Sequence, residues 1–204
     1  MKKPAGPDRL TFCALWAAAA LPILYFGTQA VAAPLYPGYD VLHQAASELG
    51  SDRARYPEIF NAGVLLVGAS CLLAALGYFR GLSRAGANPF LSAAVAGALI
   101  STGLASLWAG SFHLPDPRHN PGALGAGMFL FTPFLLAAIW RVEGSNSLKY
   151  LLIASLLAVA LLAPFMSGAM GPAPMGLLQR LFAATTFLPI AFGAAFLLRR
   201  PAGR

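Results

Sequence analysis

Asp40, His43, Ser47 and Glu48 fall in one short stretch, and Asp116 and His119 stand three residues apart further along the chain. Carboxylates, imidazoles and hydroxyls are the groups of acid–base and nucleophilic catalysis. An imidazole titrating near neutrality is the best single base, which points to His43 or His119. Asp40, His43, Ser47, Glu48 and His119 form the candidate catalytic set. Asp116 and His119 together suit zinc or a similar divalent ion, and His113 lies three residues before Asp116. Pro115, Pro117 and Pro121 interrupt that stretch, so its side chains are not held on one helical face. The plainer reading pairs Asp116 with Arg118 or Arg180. Arg180 opens the last apolar run and needs a partner at that depth, for which Asp40, Glu48 and Asp116 are the candidates. It would also hold an anionic headgroup, with Tyr39 and Asn61 completing the candidate binding set.

The elements that must carry these groups are membrane spans. The chain has 204 residues, 58% hydrophobic and 10% charged, with a mean hydropathy of +0.67. Soluble domains are roughly 45–50% apolar and about 25% charged, so that class is excluded. Six apolar runs are read as spans: Thr11–Ala33, Pro57–Arg80, Phe90–Phe112, Gly122–Arg141, Leu148–Gly168 and Gly176–Leu198. Each reaches about 30 Å as a helix, the thickness of the hydrocarbon layer. The prediction is an all-α integral membrane protein, one six-span domain over residues 1–204. Pro22, Pro133, Pro164 and Pro189 lie inside the runs and are expected to bend their helices. An alternative start, a signal peptide cleaved after Ala30-Val31-Ala32, is disfavoured. The run Leu10–Gly27 exceeds the ~7–15-residue core of such signals.

Charge sets the expected orientation. Lys2, Lys3, Arg9, Arg80, Arg84, Arg141, Lys149, Arg199, Arg200 and Arg204 fall on the side of the termini, and only Arg53, Arg55, Arg118 and Arg180 on the other. Both termini are therefore expected in the cytoplasm of a cell-membrane protein. The net charge of +7 is explained by this rim, not by nucleic acid. His43, His113, His119 and five of the seven acids then lie on the outer side.

Local patterning adds three expectations. Asp40 caps and Gly50 stops a short amphipathic helix in the first outer loop, with Asp40, His43, Gln44 and Ser47 on one face. Ala93, Gly97, Ser101, Ala105 and Ala109 recur every four residues, a stripe that makes the third span the centre of the bundle. Cys13 and Cys71 lie at different depths and are read as unbridged packing residues.

The stretch Tyr36–Gly50, with its Gly-Tyr-Asp and Ser-Glu-Leu-Gly ends, resembles the first outer loop of the domain of unknown function 998 family, multi-span membrane proteins of bacteria and archaea. Asn61–Gly63, Pro115-Asp116 with the nearby His119, and Gly176 to Arg180 also look like that pattern. The resemblance implies a six-span bundle with a shared outward site and no assigned activity. His113 departs from the small apolar residue expected there, so a metal is better built on Asp116 and His119. Seven-span zinc hydrolases of the ceramidase type are excluded, because the last two spans contain no histidine.

The functional expectation is an outward-facing polar pocket that binds or hydrolyses a lipid or other amphiphile in the bilayer. The alternatives are a non-catalytic lipid- or partner-binding module and a small-solute transporter. Mid-membrane polar residues are all uncharged, which disfavours ion-coupled transport.

Overall fold

The computed structural model describes residues 6–200. Lys2, Lys3 and Arg204 of the basic rim lie outside the described residues. Within them the chain forms six long helices and no strand: α1 Arg9–Ala32, α2 Pro57–Arg84, α3 Pro89–Ser111, α4 Gly127–Ile139, α5 Asn146–Met166 and α6 Met175–Leu198. All six segments are long and apolar enough to cross a membrane, the fourth with its 3-10 lead-in from Pro117.

Local chemistry sets the ends. Asp8 caps α1, accepting from the Thr11 N–H (3.1 Å) and hydroxyl (2.7 Å). α2 runs one turn beyond the expected Arg80. It stops where Gly86 takes a φ of +76°, with Gly86 N–H donating to the Ser83 carbonyl and Ala87 N–H to that of Leu82. That pair of bonds is a Schellman closure, which a glycine in left-handed backbone permits. Asn88 and Pro89 then start α3, the Asn88 side chain accepting from the Phe90 and Leu91 amides. α4 begins five residues later than expected. Gly122–Ala126 is 3-10 helix, and Ser101 bridges the change by donating to the Leu124 carbonyl (2.7 Å) and accepting from the Gly127 N–H (3.1 Å).

Packed in sequence, α1, α2, α3 and α4 form an arc that α6 closes by contacting both α4 and α1, while α5 lies outside against α4 and α6. Only Leu148 and Leu152 of α5 are buried. Leu15, Leu21, Tyr78, Phe131, Leu135 and Ile190 fill the core. Tyr78 donates its hydroxyl to the Ile190 carbonyl, and Gly193 leaves room for it. The outer wall is apolar, with Ile23 75% and Leu161 72% exposed, a surface that suits lipid rather than water.

The third span is not the single centre. α3 packs on α2 and α4, and α6 is buried to the same extent. A four-residue repeat drifts about 40° per step on a helix of 3.6 residues per turn, so the stripe wraps around α3 instead of keeping to one face. Gly97 accordingly faces open space. α3 comes close to the backbone of α2 at Gly103 instead. A Cβ on Gly103 would lie 2.9 Å from the Gly68 carbonyl, and one on Gly68 2.8 Å from that of Gly103. Both cysteines are free; Cys71 is buried, but Cys13 is exposed and not a packing residue.

Candidate functional site

The first long connection does not form one amphipathic α-helix. A hydrogen-bonded turn over 41–43 and a bend at Gln44 precede a 3-10 helix, Ala46–Gly50, and Ala45 before it is extended (φ −62°, ψ 148°). Side chains hold this break. Asp40 accepts from the Leu42 N–H (2.9 Å) and the His43 N–H (3.3 Å), and Gln44 accepts from the Asp40 N–H (2.7 Å). Glu48 takes the Ala45 N–H (3.2 Å) on one oxygen and the Gln44 amide (2.9 Å) on the other. These local bonds compete with helical ones.

The break separates the candidate residues. His43 and Asp40 pair at 2.7 Å with side chains 68% and 51% exposed, on the surface. That hydrogen bond, followed by the Leu42 amide, holds the Asp40 carboxyl below its usual range. Ser47 turns the other way with the 3-10 helix, whose Ala46, Leu49 and Gly50 are buried. Asp40 and His43 therefore do not share a site with Ser47, and both Glu48 oxygens are occupied within the loop.

Arg180 finds none of its expected carboxylate partners. It donates to the Val41 carbonyl (2.8 Å), the Gln44 carbonyl (3.2 Å), the Gly176 carbonyl (2.8 Å) and the Tyr39 hydroxyl (2.7 Å). A guanidinium presents five N–H groups in a plane, enough to gather several carbonyls from a folded-back loop. Tyr39 passes the link on by donating to the Ala45 carbonyl (2.9 Å), and its burial raises the phenol above the ordinary value. Nearby, the Leu177 N–H donates to the Leu42 carbonyl (2.9 Å) and Gln179 accepts from the Ala46 N–H (2.5 Å). Gly176 is a glycine for a physical reason. A Cβ there would strike the carbonyls of Gln44, Val41 and Leu42. The loop is thus clasped over the start of α6.

The second long connection is also internally satisfied. Asp116 receives the Arg118 side chain through two nitrogens (3.0 and 2.7 Å) and its N–H at 2.8 Å. These bonds bring the carboxyl down to about 2. Arg118 also stacks on Phe112 at 4.2 Å. His113 faces Asp52 at 3.5 Å, and the Asp52 N–H donates to the Leu114 carbonyl, so the two connections touch. His119 donates its Nδ1–H to the Phe112 carbonyl (2.8 Å), which leaves Nε2 as the basic nitrogen. No group of three or more His, Cys, Asp or Glu converges among the described residues, so Asp116 and His119 find no third metal ligand.

What the fold does bring together lies beneath these loops. A cavity of about 450 Å³, at the end of the bundle where α1 finishes and α6 begins, is lined by Ser47, Asn61 and His119 of the candidate residues. Gln179, Tyr25, Ser106 and Thr186 also line it. Ser106 and Thr186 donate to carbonyls of their own helices (3.0 and 3.1 Å), leaving oxygen lone pairs as acceptors. Gln179 spends its oxygen on Ala46, which leaves its amide nitrogen as a donor. Asn61 is anchored by donating to the Gly50 carbonyl (3.0 Å), and a side chain at position 50 would collide with it. Phe60, Val64, Met128, Met166, Phe182 and Phe187 supply the apolar wall. Among the described residues no Asp, Glu, Lys or Arg lines this cavity. Tyr25 and Ser106 were missed in the sequence because each sits inside an apolar run without charge or motif to mark it.

A sequence model described as "Protein of unknown function (DUF998)" matches residues 17–195 of the chain. No curated protein and no solved structure matches it significantly.

Proposed function

The chain belongs to the DUF998 family of proteins of unknown function, and we propose that it binds an amphiphile with an uncharged, hydrogen-bonding head in the cavity beneath its two long connections. The observation that carries this reading is the lining. Hydroxyls, amides and one imidazole stand beside an apolar wall, and the carboxylates of both connections, with Arg118 and Arg180, are engaged elsewhere. The volume falls within the roughly 300–1,000 Å³ of small-molecule sites. Ser47, Asn61, His119 and Gln179 would contact the head, and Phe182, Phe187 and Met128 the tail. Tyr39 and Arg180 hold the roof in place instead of holding an anion. In a cell membrane with the basic rim inward, the cavity opens to the outer leaflet.

Photolabelling in lipid nanodiscs tests this. A photoreactive monoacylglycerol should label residues of the cavity wall. Ala109→Phe, which places a ring in the cavity, should reduce labelling at least about tenfold, the loss expected when a site is sterically filled. Equal labelling of both proteins removes the reading.

One observation supports a second, hydrolytic reading of the same cavity. The Phe112 carbonyl holds His119 in the tautomer whose Nε2 is basic, and Ser47 lines the same space. His119 would act as general base and Ser47 as nucleophile. Ester turnover that is lost in Ser47→Ala, with labelling retained, would establish it; labelling without turnover in the native chain would leave binding alone.

A further inference from the structure

A second cavity, independent of the first, lies at the end of the bundle where α1 begins and α6 finishes. It measures about 880 Å³, is open on one side, and is bordered by the α2–α3 connection, the end of α4 with the α4–α5 connection, and Arg200. Arg141, Glu143 and Arg200 line it, with Leu91, Trp140 and Val142 forming apolar lining.

Two positive side chains there face one negative one. Among the described residues neither Arg141 nor Arg200 forms an ion pair, with Glu143 or with any other acid. Arg200 is placed by packing instead. Its guanidinium lies 4.6 Å from the Phe196 ring, and Gly144, at a φ of +67°, has its missing Cβ position 3.4 Å from an Arg200 nitrogen. On the other side Trp140 is 58% exposed, and the Lys149 ammonium sits 5.7 Å from its ring. Tryptophan beside a basic group is the arrangement found at the boundary between hydrocarbon and headgroups.

We propose that this cavity binds the phosphodiester headgroup of an anionic phospholipid. Arg141 and Arg200 donate to the phosphate oxygens, as the planar fork of guanidinium favours. Leu91 and Val142 take the first carbons of the acyl chains, and Trp140 lies at the glycerol level. Basic pockets between helix ends at a membrane rim suit such lipids, whereas a free anion would have no use for the apolar wall. Glu143 opposes the anion and tunes the site towards weaker, exchangeable binding.

Native mass spectrometry of the purified full chain tests this, with phosphatidylglycerol, phosphatidylcholine and inorganic phosphate as probes. The native chain should retain phosphatidylglycerol over phosphatidylcholine, and an excess of inorganic phosphate should not displace it. Arg141→Gln and Arg200→Gln should each lower retention about fivefold, the effect of one basic group at a charged surface. Glu143→Gln should raise it, an effect that a purely structural role for the arginines would not produce, and one that stands even if an arginine variant folds poorly. Equal retention of the two lipids, unchanged retention in the double arginine variant, or displacement by inorganic phosphate overturns the proposal.

Discussion

The Tyr39 hydroxyl accepts a hydrogen bond from Arg180 at 2.7 Å while donating one to the Ala45 carbonyl at 2.9 Å. One phenol thus couples the start of the last helix to the point where the first connection turns inward. Beyond that point Ser47 reaches the cavity; before it, Asp40 and His43 remain on the surface. The clasp therefore decides which of the loop's polar residues reach the cavity.

Arg180→Met removes the four bonds of the guanidinium at once and is expected to cost about 2–3 kcal/mol, since bonds from a charged donor are the strong ones. Tyr39→Phe should cost about 1 kcal/mol, and the double variant less than the sum, because the two side chains share a bond. Unfolding of the detergent-solubilised variants measures this. An Arg180→Met protein as stable as the native one would show that the guanidinium contributes nothing to the clasp.

Gly176→Ala should lift the connection without touching any charge. The added methyl meets three carbonyls of residues 41–44, and overpacking of this kind costs about 1–3 kcal/mol. Amide exchange over residues 41–46 should accelerate while the cores of α2 and α3 stay protected. Unchanged exchange would mean that the loop has room to spare.

The second connection should respond to acid. Arg118 lowers Asp116 from the ordinary 3.8 to about 2. A carboxyl depressed on folding contributes stability that is complete above its unfolded value and is lost as pH falls through the folded one. A decline in thermal midpoint is therefore expected between about pH 4 and about pH 2, and Asp116→Asn should lack that part of it. The same acid slope in the variant would assign it to other carboxyls, such as Asp40.

Orientation is open to direct chemical mapping. In a background of Cys13→Ala and Cys71→Ala, a membrane-impermeant maleimide should label Arg53→Cys on intact cells and Asn146→Cys only after permeabilisation. Both positions are exposed, at opposite ends of the bundle. The reverse pattern would turn the basic rim, and both cavities with it, to the other side.

The spans were legible because a helix in lipid satisfies its own backbone, so an apolar run of sufficient length specifies its structure without information from the rest of the chain. Some ends were legible for the same local reason. Pro57 and Gly176 lie at the starts of α2 and α6, within one residue of where those spans were expected to open. The late start of α4 was not, since it depends on Ser101 from the preceding helix.

The candidate site was legible only in part. That Ser47, Asn61 and His119 share one cavity agrees with placing the polar groups at one end of the bundle. The partners of Arg180 were hidden, because backbone carbonyls occur at every residue and leave no mark in a sequence. The expected face of Asp40, His43 and Ser47 failed at Ala45, one extended residue whose conformation Tyr39, Glu48 and Gln179 enforce on its neighbours. Sequence alone thus determined how many long apolar helices there are, their lateral apolarity and the end at which polar groups collect, since those follow from burying apolar length in lipid. Which polar groups meet, and which instead neutralise one another, was decided by tertiary structure, because hydrogen bonds act over about 3 Å and only the folded loops bring partners within that reach.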